Sequence, residues 1–101
     1  MIKHLNGNEL DAFVAANKRV VVDFYADWCN PCKILGRELE EFEPEHPDFV
    51  IAKINVDENE ECYAQFGEQS IPLLVFFENG KAVKKVVGYI PAKRVWDIYY
   101  G

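Results

Sequence analysis

The chain of 101 residues has the length of one domain, and its composition is that of an ordinary globular protein. Half of its residues are hydrophobic and 28% are charged, which excludes a disordered segment. The formal net charge of −6 argues against nucleic acid or an anionic membrane as partner, since both attract clustered Lys and Arg. We therefore expect a single domain over residues 1–101.

The sequence contains no pattern that directs a protein to a membrane or across one. Its start, MIKHLNGNELDAF, has neither the apolar stretch nor the cleavage site of a signal peptide. The longest strongly apolar runs, residues 20–22 and 73–77, are much shorter than a transmembrane helix. These observations predict a cytoplasmic protein.

The first half of the chain alternates between helix and strand patterns. Asn8 can cap a first helix, whereas residues 1–5 before it have no clear class. Residues 20–26 form a nearly unbroken apolar run, which is typical of a strand covered on both faces. An amphipathic helix follows and ends near Pro44, and residues 49–56 predict another central strand.

The second half predicts a short helix, a hairpin and a last helix. Asp57 and Glu60 have the spacing of a capping box, and Gly67 ends the helix that follows. An Asn-Gly pair at residues 79–80 separates two apolar runs and indicates a hairpin, after which Pro91 opens the last helix. The order β-α-β-α-β-α-β-β-α predicts an α/β fold. Its central mixed sheet would have a parallel βαβ half followed by an antiparallel hairpin, with helices on both faces.

Two of the three cysteines have the spacing Cys-x-x-Cys at the junction between a strand and a helix. Cys29 comes just before the helix, where free backbone N–H groups and the helix dipole favour a thiolate. Asn30 and Pro31 begin the helix, and Cys32 lies one turn further on in a more buried place. The pattern predicts that Cys29 attacks a disulfide and that Cys32 resolves the mixed disulfide.

A metal site is the main alternative for this motif. Cys62, His4 and His46 are further possible ligands, but none has the paired spacing of a structural zinc site. We expect Cys62 to be a small hydrophobic residue and the two histidines to lie on the surface. The prediction is that the protein holds no metal.

Two charged residues stand in otherwise apolar strands. Asp23 is surrounded by Val, Phe and Tyr, so burial should raise its pKa and let it accept the proton of Cys32. Lys53 has the same position in the next apolar strand and is its expected partner. The alternatives are an Asp23 with a structural role and a Lys53 that extends to solvent.

Several segments, in the same order, resemble the thioredoxin family. Residues 22–33 resemble its active-site signature, and residues 52–57 its middle strand. Residues 71–72 resemble its cis-proline corner, residues 77–80 its hairpin, and residues 87–88 its last active-site loop. The resemblance covers essentially the whole chain and implies the thioredoxin fold.

The resemblance also implies an enzyme, a thiol-disulfide oxidoreductase that needs no cofactor. It would reduce protein disulfides through a redox-active pair, Cys29 and Cys32, with Asp23 and Lys53 as further catalytic residues. It would act as a monomer and receive electrons from a thioredoxin reductase. The backbone of Ile71 would pair with an extended substrate segment. The substrate-binding surface would consist of Trp28, Asn30, Pro31, Ile71, Pro72, Val87 and Gly88.

The sequence departs from the family pattern at three positions. Asn30 replaces the common Gly, Leu73 the usual Thr, and Arg37 a Pro in the second helix. These changes bear on the redox potential and on the choice of partners. A binding module without turnover and a disulfide-forming oxidant stay open as alternative functions.

Overall fold

The computed structural model, which describes residues 1–101, contains a five-stranded mixed sheet. The strand order is β1-β3-β2-β4-β5, in which β1, β3 and β2 are parallel, while β4 is antiparallel to both β2 and β5. The predicted mixed sheet is therefore confirmed, and the unassigned start of the chain forms an edge strand. The strands are β1 (Ile2–His4), β2 (Arg19–Tyr25), β3 (Ile51–Asn55), β4 (Leu73–Glu78) and β5 (Lys81–Val87).

Four α-helices and three short 3₁₀ turns connect the strands. The predicted cap at Asn8 is wrong, because Asn8 lies inside the first 3₁₀ turn. The carboxylate of Glu9 accepts the backbone N–H of Asn6 at 2.8 Å there. The helices are α1 (Leu10–Ala16), α2 (Asn30–Phe42), α3 (Glu60–Ala64) and α4 (Ala92–Tyr100), and the 3₁₀ turns are Gly7–Glu9, Glu43–Glu45 and Val56–Glu58.

The central strand β2 divides its side chains between two cores. Val20, Val22 and Phe24 pack in one cluster with buried residues of α1 and α3. Val21 points to the opposite face, where it packs with α2 and α4. This two-residue alternation explains the unbroken apolar run, and it confirms helices on both faces of the sheet.

The start of α3 differs from the prediction. Asn59, not Asp57, is the residue before the helix, and its side-chain oxygen accepts the N–H of Gly7 at 2.7 Å. The Asp57 carboxylate instead accepts a hydrogen bond from the indole of Trp28. The predicted capping box is therefore wrong, because Asp57 lies inside the 3₁₀ turn Val56–Glu58 and not at the residue before the helix.

The hairpin between β4 and β5 follows its sequence signal closely. Asn79 and Gly80 have φ angles of 53° and 81°, and such positive values are what a two-residue hairpin turn requires. None of the helices combines the length and the apolar character needed to cross a membrane.

Candidate active site

A disulfide between Cys29 and Cys32 lies at the N-terminus of α2. Cys29 is the residue before the first helical turn, and its Sγ accepts the backbone N–H of Cys32 at 3.3 Å. The two Cα atoms are 5.2 Å apart, and the residues are only 5% and 2% exposed. After reduction, a thiolate on Cys29 would face this N–H and the positive end of the helix dipole.

Two loops approach the disulfide from the other side of the site. The peptide bond between Ile71 and Pro72 is cis, and Cys29 Sγ lies 3.9 Å from the carbonyl oxygen of Ile71. The N–H of Gly88 donates to the carbonyl of Pro72 at 2.8 Å, so the loop after β5 is attached to the cis-proline loop. The structure thus brings the ends of α2, β4 and β5 together.

Accessible residues, several of them apolar, surround the disulfide, whereas Pro72 is buried. Trp28 is 68% exposed, Val87 is 47% exposed, and Ile71 is half-buried. The indole Nε1 of Trp28 donates to Asp57 Oδ2 at 2.9 Å, which fixes one edge of the ring. All seven residues expected to bind substrate lie on the three segments that meet here, namely Trp28, Asn30, Pro31, Ile71, Pro72, Val87 and Gly88.

Asp23 is a fully buried carboxyl in the middle of β2. It lies on the same face as Val21, the face covered by α2, and neither of its oxygens has a hydrogen-bond partner. Burial raises the pKa of Asp23 from 3.8 to about 6, and the charge of Lys53 opposes this rise. A carboxyl with this pKa can exchange a proton near neutral pH.

Lys53 is the neighbour of Asp23 across the β2–β3 ladder. Its ammonium lies 4.6 Å from the ring centre of Tyr25, while no hydrogen bond joins it to Asp23, so the coupling of the two charges is electrostatic only. Gly36 of α2 leaves room for this ammonium, since a Cβ there would lie 3.0 Å from Nζ. An open cavity of about 520 Å³ borders Cys32, Gly36 and Lys53.

Comparison with known proteins agrees with this geometry. The family model described as Thioredoxin matches residues 1–98. The chain belongs to the thioredoxin family. Thioredoxins are thiol-disulfide oxidoreductases, and the Cys29–Cys32 pair of this chain is the redox-active disulfide of that reaction. Family membership implies protein disulfides as substrates and a reductase as partner in general terms.

The thioredoxin of Mycoplasmoides gallisepticum is 42% identical over 98 residues, which cover 96% of this chain and 98% of that protein. The thioredoxin of Alicyclobacillus acidocaldarius is 47% identical over 83 residues, which cover 81% of this chain and 79% of that one. A solved structure of a mutant thioredoxin from Halobacterium salinarum has a TM-score of 0.89 and 37% identity, and the match covers 97% of this chain and 87% of that chain.

Of the remaining candidate ligands, His4 lines the cavity that also borders Cys32, whereas Cys62 and His46 do not. Cys62 is buried on α3 and has no cysteine partner, and burial raises the pKa of its thiol. His4 is exposed, but His46 stacks on Phe42 with ring centres 3.9 Å apart, so its expected surface position is only partly right. The structure has no group of three or more His, Cys, Asp or Glu side chains placed to hold a metal ion.

Two contacts near the thioredoxin site had no signal in the sequence. The first is the bond between Trp28 and Asp57, because the Asp57 carboxylate also fits a local capping pattern. The second joins Glu38 of α2 to Tyr89 in the loop after β5. Their partners are 29 and 51 residues apart in the chain, so no local pattern indicates them.

Proposed function

We propose that the chain reduces disulfide bonds in other proteins, with Cys29 as the attacking thiolate and Cys32 as the resolving thiol. The observation that supports these roles is the position of Cys29 Sγ at the N-terminus of α2, where it accepts the N–H of Cys32. Cys32 is less exposed and lies inside the helix. We therefore assign the first contact with a substrate disulfide to Cys29.

In the first step, the Cys29 thiolate attacks one sulfur of a substrate disulfide. The substrate S–S bond breaks, one substrate sulfur leaves with the electron pair and takes up a proton, and a mixed disulfide forms with Cys29. The helix N-terminus stabilises the thiolate near neutral pH, so this step needs no separate base.

In the second step, Cys32 loses its proton and attacks Cys29 Sγ. The second substrate thiol is released, and the dithiol of the chain ends as the Cys29–Cys32 disulfide, so two electrons have passed to the substrate. We assign the proton acceptor to Asp23, directly or through a water molecule, because it is buried on the α2 side of the sheet with free oxygens and a pKa of about 6. Lys53 limits the rise of that pKa and so keeps the carboxylate available.

The exposed apolar surface around the disulfide is the proposed docking site for protein substrates. An extended substrate segment would pair with the backbone beside Ile71, in a short version of strand addition. Trp28 and Val87 would contribute apolar contact on its two sides, and both are exposed before binding. Asn30 and Pro31 lie on the exposed rim next to the attacking sulfur.

The setting of the reaction is part of the proposal. We assign the chain to the cytoplasm, where a thioredoxin reductase would return it to the dithiol form. It would act as a monomeric single domain without nucleic acid or membrane as partner, in line with its net charge of −6.

The reduction of insulin by the purified chain, with dithiothreitol as electron source, tests the function. The wild-type chain and Cys62→Ala should both accelerate reduction, since Cys62 is buried away from the pair, whereas Cys29→Ser should abolish it. In a separate incubation without dithiothreitol, Cys32→Ser should instead accumulate a mixed disulfide with insulin, which dithiothreitol added afterwards releases.

Equal trapping by Cys29→Ser and Cys32→Ser would mean that the two roles are assigned wrongly. Binding of insulin by the wild-type chain without reduction would indicate a binding module instead. A large loss of activity in a folded Cys62→Ala would show that the third thiol takes part.

A further inference from the structure

One carboxylate joins helix α2 to the segment between β5 and α4. Glu38 Oε2 accepts the phenol O–H of Tyr89 at 2.6 Å, and Glu38 Oε1 accepts the backbone N–H of Ala92 at 3.2 Å. Glu38 itself is half-buried on α2. Both ends of residues 89–92 are therefore tied to the helix that also carries the reactive cysteines.

Helix α4 has no cap of its own. Its N-cap residue is Pro91, which makes no side-chain hydrogen bond, and its first turn contains no acid. The Glu38 carboxylate supplies both the acceptor and the negative charge that a helix N-terminus favours. The hydrogen bond from Ala92 holds the Glu38 side chain in place, so the Tyr89 hydroxyl has a fixed, charged acceptor.

Tyr89 directly follows the loop assigned to substrate docking. Gly88 donates its N–H to Pro72 at 2.8 Å, and Val87 pairs with Leu73 across the β4–β5 ladder. The loop is thus anchored to β4 on one side and, through Tyr89 and Glu38, to α2 on the other. Its exposed apolar groups keep one position relative to the disulfide before a substrate arrives.

We propose that Glu38 is a positioning residue for substrate binding, which acts through Tyr89 to hold residues 87–88 in the docking surface. The proposal rests on the function given above. A surface that is ordered in advance loses less conformational entropy on binding, so its affinity for a large substrate is higher. The hydrogen bonds of Glu38 and of the Tyr89 hydroxyl do not involve the reacting sulfurs, so the chemical steps should not depend on them.

Tyr89→Phe removes the hydroxyl and keeps the apolar ring. We expect KM for insulin to rise roughly 2- to 10-fold, the range for one additional ordered group on binding, while kcat stays within about twofold. The rate constant with cystamine, a small disulfide that needs no docking surface, should not change. A merely structural weakening of the site would lower the rates with both substrates.

Variants of Glu38 separate positioning from general effects on the helix. Glu38→Ala, which also removes the contact with Ala92, should raise KM for insulin at least as much as Tyr89→Phe. Adding Tyr89→Phe to Glu38→Ala should cause no further rise, because the Tyr89 hydroxyl has then already lost its acceptor. Glu38→Gln retains an oxygen acceptor and should rescue most of the affinity. Glu41→Ala is the matched control, since Glu41 is an exposed acid of the same helix.

Amide hydrogen exchange gives a readout that does not depend on turnover. Exchange at Gly88 and Ala92 should be faster in Glu38→Ala than in the wild-type chain and unchanged in Glu41→Ala. An unchanged KM in Tyr89→Phe, additive effects in the double variant, or unchanged exchange at Gly88 would overturn the positioning role. Faster exchange in Glu38→Ala, together with a wild-type chain that does not reduce insulin, would support the role of Glu38 in holding residues 87–88 and would contradict the proposed function.

Discussion

The two faces of the central sheet come from the same strands but bury different chemistry. On the face toward α1 and α3, strands β2 and β3 present only apolar side chains, such as Val22, Phe24 and Ile54. On the face toward α2, the same strands place Asp23 and Lys53 side by side. Both faces therefore contribute an apolar core, but only the second, beneath the helix that carries the dithiol, also keeps a carboxyl in an unfavourable place.

The two faces differ in whether their buried polar groups have hydrogen-bond partners. Burial of apolar side chains stabilises the folded state by about 25 cal/mol for each Å² removed from water. Burial of an ionised carboxyl without a hydrogen bond destabilises the folded state instead. The raised pKa of Asp23 measures that destabilisation. One face should thus weaken when its residues are truncated, and the other should become more stable when its acid is neutralised.

The largest effect is expected on the apolar face. Phe24 is fully buried and packs against Tyr63 and Phe66, with ring centres 5.6 and 5.2 Å away. Phe24→Ala should lower the free energy of unfolding by about 3–5 kcal/mol in a urea titration, because it leaves a cavity. Val83→Ala, at an exposed position of β5, is the control and should change it by less than about 0.5 kcal/mol. A loss below about 1 kcal/mol for Phe24→Ala would show that this face does not provide the stability assigned to it.

The next largest effect is expected for Asp23→Asn, which should raise the free energy of unfolding by an amount that depends on pH. Folding raises the pKa of Asp23 from 3.8 to about 6, so the folded chain binds the proton more tightly and stability falls as pH rises from about 4 to about 6. At about 1.4 kcal/mol per pKa unit, the ionised carboxyl costs about 3 kcal/mol above pH 6. Asp23→Asn should be more stable by about this amount at pH 7, and the gain should disappear below about pH 4.

Urea titrations of both proteins at several pH values measure this gain. A destabilised Asp23→Asn at pH 7 would mean that the carboxylate is a structural partner of Lys53. A gain of equal size at pH 4 and pH 7 would mean that it does not come from the charge of Asp23.

The smallest effect is expected for Lys53, whose charge acts on the pKa of Asp23. The charge of Lys53 lowers the pKa of Asp23 against the effect of burial, so Lys53→Met should raise that pKa above its value of about 6. NMR titration of the Asp23 carboxyl carbon measures the change. Lys84→Met removes an exposed charge from β5 and should leave the pKa unchanged. An unchanged pKa in Lys53→Met would show that Lys53 is not coupled to Asp23.

The strands and helices of both faces could be predicted largely from the sequence, because their signals are local, whereas the residues that precede α1 and α3 were predicted wrongly. The run at residues 20–26 indicates a strand, and the Cys-x-x-Cys junction indicates a helix N-terminus. The burial of Asp23 was predictable for the same reason, since every neighbour in its strand is apolar.

The polar contacts of the site could not be predicted in the same way. Asp57 matches a capping box, but it bonds to Trp28, which a local pattern cannot reveal. Glu38 lies in an acidic stretch that resembles a solvated helix face, and its partners Tyr89 and Ala92 become neighbours only through the packing of α4 on α2. Such contacts depend on tertiary structure, whereas strand and helix signals depend on sequence spacing.

The rate of the resolving step in Asp23→Asn shows whether Asp23 accepts the proton of Cys32. Stopped-flow kinetics can separate the attack of Cys29 from the attack of Cys32, and we expect only the second step to slow, by about 10- to 1000-fold at pH 7. The wild-type resolving rate should rise with pH around the pKa of Asp23, about 6, and the variant should lose that dependence. An Asp23→Asn protein that resolves mixed disulfides at the wild-type rate at pH 7 would contradict the assignment of Asp23 as the proton acceptor.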